Sequence, residues 1–224
     1  MKVLLALLIA AALGYLLGSC NCSIIFVKLM TGKDIRTMGS KNAGLTNTYR
    51  CCGPVPAVLT LIGDLCKGIL AVGLARAAAS ALSAGLSPDN DTHYIGYIAG
   101  LFAVIGHIFP LYFQFRGGKG VLVGVASFLM VDAKVFMALL LIFIVILAIS
   151  KYVSLASIMS ALYCPLATLL ISWIVTGAGF GRSFLYMVLS LPMAGIVIWM
   201  HRTNIQRLID GTESKFTFRF AGNK

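Results

Sequence analysis

The sequence predicts an all-α integral membrane protein with seven transmembrane helices, one of them short. Of its 224 residues, 59% are hydrophobic and only 11% carry a charge. A chain of this composition cannot keep most of its side chains in water, so most of it must lie in lipid. The composition therefore excludes a water-soluble fold, and residues 1–224 are interpreted as a single transmembrane domain.

Six apolar runs are long enough to cross the roughly 30 Å hydrocarbon core of a bilayer. They lie at about 3–30, 54–84, 94–113, 135–150, 153–175 and 183–200. A seventh apolar stretch, 121–130, would rise only about 15 Å as a helix, so it is a short crossing or a re-entrant segment. The first run is interpreted as a retained helix, because no small-residue cleavage site follows it.

The distribution of charge favours seven crossings. The chain carries 18 Lys and Arg against 7 Asp and Glu, a net charge of +11. With the N-terminus outside, seven crossings place most of the basic residues in cytoplasmic segments, where Lys and Arg are enriched, and leave Asp89 and Asp91 in an outer loop. The sequence thus predicts a cytoplasmic C-terminus, and it gives no reason to expect nucleic-acid binding.

Two polar clusters between the spans have the residue types of a phosphate site. The first, 32–50, mixes glycines with hydrogen-bonding side chains, namely Ser40, Asn42, Thr46, Asn47 and Arg50. Arginine can bind a phosphate with two parallel hydrogen bonds, and glycine lets the backbone approach a ligand. The second cluster, 106–120, ends in Gly117, Gly118, Lys119 and Gly120, where successive N–H groups and an ammonium suit an anion. It does not match a nucleotide P-loop.

Two further clusters lie at the same predicted surface. The third, 151–157, has Ser154 and Ser157 on one helix face, and the fourth, 201–213, has His201 and Asn204 one helical turn apart. Helix-packing serines and a basic helix that binds lipid headgroups are the alternative interpretations.

Acidic and sulfur-containing residues give no metal site in the sequence. Asp34, Asp210 and Glu213 are too dispersed to cage a divalent ion, and the six cysteines lack zinc-ligand spacing, so no cofactor is expected. Asp64 and Lys67 fall inside a span, three residues apart, where they are predicted to pair as structural support.

Taken together, these strings resemble the motifs of the bacterial acyl-phosphate:glycerol-3-phosphate acyltransferases over nearly the full length. The matching strings are Gly18-Ser19, 32–50, 64–68, 106–120, Ser154-Leu155 and 201–213. Departures include Lys41 for a usual Gly, Leu45 for a usual Ala, and Cys20-Asn21-Cys22 where the family tends to have Ile-Pro. These bear on fine substrate preference rather than on class.

The resemblance implies an enzyme of phospholipid biosynthesis in the bacterial inner membrane, with its active site facing the cytoplasm. Such enzymes transfer a long-chain acyl group from acyl phosphate to the 1-hydroxyl of glycerol 3-phosphate and form lysophosphatidic acid. The expected catalytic residues are Ser40, Asn42, Arg50, His201 and Asn204. The expected substrate-binding residues are Thr46, Asn47, Gly117, Gly118, Lys119, Gly120, Ser154 and Ser157. Asp64, Lys67 and Glu213 are expected to give structural support.

Two questions stay open from the sequence. The proton of the attacking hydroxyl can go to His201 or to the substrate's own phosphate. The alternative function is a membrane transporter of an anionic metabolite, which would bind its substrate at the midplane between broken helices. The polar clusters gather at one surface instead, which favours the enzyme.

Overall fold

The computed structural model describes residues 1–83 and 91–216, and the regular elements in those ranges are all helical. Asp89, which the sequence places in an outer loop, lies outside them. The α-helices are α1 (Lys2–Ser19), α2 (Cys22–Thr31), α3 (Leu45–Cys52), α4 (Pro54–Ala81), α5 (His93–Ile108), α6 (Val121–Val131), α7 (Ala133–Ser150), α8 (Val153–Leu170), α9 (Phe180–Met200) and α10 (Arg202–Ile209). A π-helical turn, Ile171–Val175, extends α8.

The six predicted long spans are confirmed. Within the described ranges, six helical segments are long and apolar enough to cross a membrane: Lys2–Thr31, Pro54–Ala81, His93–Phe113, Ala133–Ser150, Val153–Val175 and Phe180–Met200. The third is the central one, because 67% of its most apolar stretch is buried, against 11% for Ala133–Ser150. The protein is therefore built around α5, and its outer helices present apolar side chains to lipid.

The first span is not one continuous helix. Cys20 leaves the helical region with φ −70° and ψ 88°, and the Asn21 side chain accepts the N–H of Ile24 at 3.2 Å, which caps the start of α2. A polar cap inside an apolar run therefore divides it into α1 and α2. Hydropathy does not register this break, because Cys20 and Cys22 on either side of Asn21 are themselves apolar.

The short helix α6 runs antiparallel to α5 along most of its length. Gly124 of α6 faces Val104, whereas Val131 at the end of α6 faces Gly96 near the start of α5. Arg76, late in α4, donates to the carbonyl of Met130 at 2.6 Å. Despite its 11 residues, α6 thus reaches from the C-terminal end of α5 almost to its N-terminal end.

The helix directions collect the polar clusters at one end of the bundle, here called the site end. It contains the α1–α2 break, residues 32–53, 109–120, 151–152 and 201–216. The opposite end holds the start of α5, the α6–α7 junction and the start of α9, where Asp91 accepts a hydrogen bond from Tyr186. All four clusters predicted from the sequence lie at the site end.

Close packing of α1 on α5 depends on glycine. A Cβ on Gly18 would overlap the backbone of Ala103, and one on Gly14 would overlap the backbone of Ala99. Small residues that let helix backbones approach are a common means of association in membranes, where hydrophobic burial against other helices contributes little.

We expect Gly18→Val to destabilise the protein by about 1–3 kcal/mol or more, because the added side chain must push α1 away from backbone atoms. Gly195→Val is the matched control, since a Cβ at this helical position in α9 meets no atom within 4 Å. Thermal unfolding in detergent should show a lower midpoint for the Gly18 variant alone. Equal midpoints for the two variants would contradict the close α1–α5 contact.

Candidate active site

The second cluster is held against the C-terminal end of α5. Gly117 N–H donates to Ile108 O at 3.0 Å, and Gly118 N–H donates to His107 O at 3.1 Å. The prediction that these two N–H groups are free for an anion is therefore wrong. The last carbonyls of a helix have no partner within it, and the two glycines supply that partner for α5.

Lys119 follows these glycines and turns its side chain to the fourth cluster. Its Nζ donates to Oδ1 of Asn204. Burial lowers the pKa of Lys119 to about 8, the charge of Glu213 opposes this shift, and the charge of Arg207 adds to it. The ammonium is thus mostly charged at pH 7, and the two predicted residues Lys119 and Asn204 are in contact. Gly120 then adopts φ +78° at the start of α6.

His201 lies where α9 ends and α10 begins, and it is 3% exposed. Its Nδ1 is 2.8 Å from Val197 O, a carbonyl in the last turn of α9, so Nδ1 carries the proton and donates it. Burial and the nearby charge of Lys119 lower the pKa of His201 to about 4. The ring is therefore neutral at pH 7, with Nε2 as a hydrogen-bond acceptor.

Glu213 connects the C-terminal tail to the third and fourth clusters. Its carboxylate accepts hydrogen bonds from Ser154 Oγ at 2.7 Å, Asn204 Nδ2 at 2.7 Å and Arg207 Nε at 2.6 Å. Burial works to raise the pKa of Glu213, but these hydrogen bonds outweigh it and lower the pKa. The ionised carboxylate orients the Asn204 amide, whose oxygen then faces Lys119.

Asn47 of the first cluster braces its own loop. Its Oδ1 accepts the N–H of Ser40 at 2.9 Å, and its Nδ2 donates to the carbonyls of Met38 and Asn42, both at 3.0 Å. The side chain is 3% exposed. Both polar atoms of the Asn47 side chain form hydrogen bonds within the loop, so Asn47 positions Ser40 and Asn42. The sequence analysis had expected Asn47 to contact substrate instead. Thr46, beside it, is half-buried at the start of α3.

Arg36, which the sequence analysis did not select, joins the first two clusters. It pairs with Asp34 at 2.7 Å and donates to the carbonyls of Phe113 at 2.7 Å and Arg116 at 3.1 Å. The close spacing of Asp34 and Arg36 is the signal that could have identified the pair. The carbonyls of Phe113 and Arg116 that Arg36 binds lie 77 and 80 residues further along the chain, so sequence spacing could not predict these contacts.

Arg50 lies on the rim of the site. It is exposed, and its Nη2 donates to the carbonyl of Ser214 in the tail at 3.2 Å. Phe216 of the same tail donates its N–H to Lys151 O at 2.7 Å. The tail therefore touches the first, third and fourth clusters.

An apolar crevice leads from the site into the bundle. It has a volume of about 40 Å³ and is lined from α6, α7, α8 and α9, with Val121 and Val197 at the site and Phe128, Leu139 and Cys164 deeper. Ser157 lines it too, but its hydroxyl donates to Val153 O at 2.8 Å. The predicted role of Ser157 as a polar contact is therefore not supported by its geometry.

Comparison with known proteins gives the family. The family model described as glycerol-3-phosphate acyltransferase matches residues 8–211. The chain belongs to this family. Curated glycerol-3-phosphate acyltransferases from Syntrophomonas wolfei and Clostridioides difficile are 41% and 37% identical, covering 91% and 93% of this chain and 93% and 94% of their own.

Two solved structures extend this result. The crystal structure of PlsY, an integral membrane glycerol 3-phosphate acyltransferase, in its glycerol 3-phosphate form has a TM-score of 0.75 and 31% identity, covering 94% of this chain and 96% of that one. Its lysophosphatidic acid form has a TM-score of 0.73 and 29% identity, covering 94% and 95%. The chain is thus an integral membrane member of an acyltransferase family, and the transporter alternative loses its support.

Metal-binding groups are scarce in the described part of the chain. Residues 1–83 and 91–216 contain no group of three His, Cys, Asp or Glu side chains that could hold a metal ion.

Proposed function

We propose that this acyltransferase transfers a long-chain acyl group from acyl phosphate to the 1-hydroxyl of glycerol 3-phosphate, forming lysophosphatidic acid and inorganic phosphate. The observation that carries the proposal is the contact of Lys119 with Asn204, beside a neutral His201 and next to an apolar crevice. A cation for a phosphate and a crevice for an alkyl chain meet at one place. The relatives, which are glycerol-3-phosphate acyltransferases, support the choice of substrate.

The topology proposed for the chain has seven crossings, an outside N-terminus and a site that faces the cytoplasm of a bacterial inner membrane. Residues 1–224 form one domain in this proposal. Because α6 lies alongside most of α5, we count α6 as the seventh membrane crossing. The basic residues gathered at the site end support a cytoplasmic orientation for it.

In this proposal glycerol 3-phosphate and acyl phosphate bind to different parts of the site. We assign the phosphate of glycerol 3-phosphate to Lys119, with Arg50 on the rim, because a charge-assisted hydrogen bond to a phosphate is a strong contact. Ser40 and Asn42 are assigned to the developing oxyanion, with the Asn204 amide beside Lys119.

A short part of the acyl chain is assigned to the crevice lined by α6, α7, α8 and α9, whose volume of about 40 Å³ leaves the rest of the chain outside it. One lining helix, α7, exposes apolar side chains such as Leu141 and Ile144, which face membrane lipid in this proposal, so donor and product can exchange laterally.

The reaction needs one proton transfer. The 1-hydroxyl oxygen attacks the acyl carbonyl carbon, the bond from that carbon to the phosphate oxygen breaks, and the hydroxyl proton goes to a phosphate oxygen. A general base works best with a pKa near the operating pH. A phosphate monoester ionises near about 6, closer to neutrality than His201 at about 4. His201 therefore orients the hydroxyl through Nε2, and a substrate phosphate accepts the proton.

The function is tested by turnover of the purified full chain in detergent or vesicles. Acyl phosphate with glycerol 3-phosphate should give lysophosphatidic acid and phosphate, also in the presence of a chelator, whereas acyl-CoA should not be used. Efficient turnover of acyl-CoA, or no product from acyl phosphate, would refute the proposal. Activity that a chelator abolishes and Mg²⁺ restores would refute its metal-free chemistry.

Single cysteines in a cysteine-free background test the topology. Cysteines at the exposed positions Lys41, Arg116 and Lys215 should react with impermeant reagents only from the cytoplasm, and one at Ala178 only from outside, because it lies at the opposite end of the bundle. Reaction of positions 41 and 178 from the same side would rule out the seven-crossing arrangement.

Lys119→Ala should raise the KM for glycerol 3-phosphate about tenfold to a hundredfold, since a hydrogen bond to a charged group is worth roughly 1.5–3 kcal/mol. The KM for acyl phosphate should change little. Lys134→Ala, at the opposite end of the bundle, is the control for loss of one lysine. An unchanged KM in the Lys119 variant would remove Lys119 from the phosphate site.

The pH profile distinguishes the two proton acceptors. A base stops working as the pH falls through its pKa, so a phosphate acceptor gives an acid limb near pH 6 and His201 would give one near pH 4. We expect the midpoint near 6 in the unmodified protein and in His201→Gln, which should only lower kcat. A midpoint near 4 that disappears in the variant would identify His201 as the base.

A further inference from the structure

A buried polar chain joins α4, α5 and the break between α1 and α2. Lys67 Nζ lies 2.7 Å from Asp64 Oδ1 and 2.8 Å from His107 Nδ1, and it donates to the carbonyl of Cys20 at 2.9 Å. The three side chains are between 1% and 5% exposed. An ammonium has three N–H donors, and hydrogen bonds to His107 and Cys20 use two of them, whereas Asp64 is held by the charge of its ion pair with Lys67. The proposed mechanism gives none of these groups a task.

The geometry fixes the tautomer of His107. An ammonium group cannot accept a hydrogen bond, so Nδ1 of His107 must be the acceptor from Lys67. The ring is therefore neutral and carries its proton on Nε2.

The Nε2 side of this ring lies against the glycine loop, defined as residues 117–120. A Cβ on Gly118 would overlap both His107 Nε2 and the carbonyl oxygen of Ala43 in the first cluster. Gly118 N–H also donates to the carbonyl of His107. Residue 107 thus contacts Gly118 through its ring and its backbone, and Lys119 is the next residue.

We propose that Asp64, Lys67 and His107 are positioning residues for acyl transfer, which set the place of the glycine loop and through it the place of the Lys119 ammonium against the phosphate of glycerol 3-phosphate. The inference rests on the proposed function. Asp64 holds Lys67, Lys67 holds the His107 ring, and the ring supports Gly118. A displacement of about 1 Å at a binding group can cost up to about a hundredfold in rate, so a rigid support has functional value.

Helix packing alone does not account for the buried side chains of Asp64, Lys67 and His107. Ionised groups inside a span are expensive, and apolar side chains of similar size often stabilise a buried site as well as an ion pair does. Neighbouring α4 positions pack with small or apolar side chains, such as Ala71 and Val72. The polar chain occurs instead at the level where α5 meets the glycine loop.

The test uses two variants that keep buried charge balanced. His107→Asn keeps an acceptor near Lys67 but withdraws the ring from Gly118, and the double variant Asp64→Asn with Lys67→Gln removes both charges together. Each should raise the KM for glycerol 3-phosphate about tenfold, with little change in the KM for acyl phosphate. His107→Asn, which leaves Lys67 bonded to the Cys20 carbonyl, should also leave the thermal midpoint almost unchanged. Thr60→Val is the matched control, because Thr60 is buried on α4 and its hydroxyl donates only to Pro56 O.

A double-mutant cycle then separates positioning from general damage. If His107 acts through Lys119, His107→Asn should add nothing to the KM of Lys119→Ala. Multiplying effects would overturn the inference, as would an unchanged KM in a folded His107→Asn or charge-neutral variant. Absence of turnover with glycerol 3-phosphate in the unmodified chain would instead refute the proposed function, and this inference with it.

Discussion

Backbone carbonyls at the ends of α1, α5 and α9 need hydrogen-bond donors, because these ends meet inside the bundle. Lys67 supplies the donor for Cys20, the glycine loop supplies donors for α5, and His201 supplies one for Val197. Buried backbone groups left without partners cost too much to persist, above all in a membrane. The polar residues of the site are therefore also the caps of its helices, and fold and site depend on the same contacts.

This arrangement gives the two buried histidines opposite tautomers. His107 accepts at Nδ1 from an ammonium, whereas His201 donates from Nδ1 to a carbonyl. The ring of His107 consequently presents an N–H to the glycine loop, and His201 presents a lone pair to the site. The difference arises from the partner of each Nδ1 atom, which is the Lys67 ammonium for His107 and the Val197 carbonyl for His201.

Sequence reasoning succeeded where the signal was local. Apolar length predicted the six long spans, and a spacing of three residues predicted the pairing of Asp64 with Lys67, which a helix enforces. It failed where a partner comes from a distant element. The joining of His107 to Lys67 across 40 residues, and the use of glycine N–H groups by α5, depend on how helices face one another. No spacing rule carries that information.

Charge balance explains why one end of the bundle suits a phosphate. At the opposite end, a cavity of about 520 Å³ contains Arg76 and Arg182, but Asp91 lies 3.9 Å from Arg182 and Asp132 shares the lining. At the site end, Glu213 is paired with Arg207 at 2.6 Å, whereas the described contacts of Lys119 are with the neutral amide of Asn204. An amide orients an ammonium without cancelling its charge. Lys119 therefore keeps a positive charge for an incoming anion, and the carboxylate that holds Asn204 is itself already neutralised.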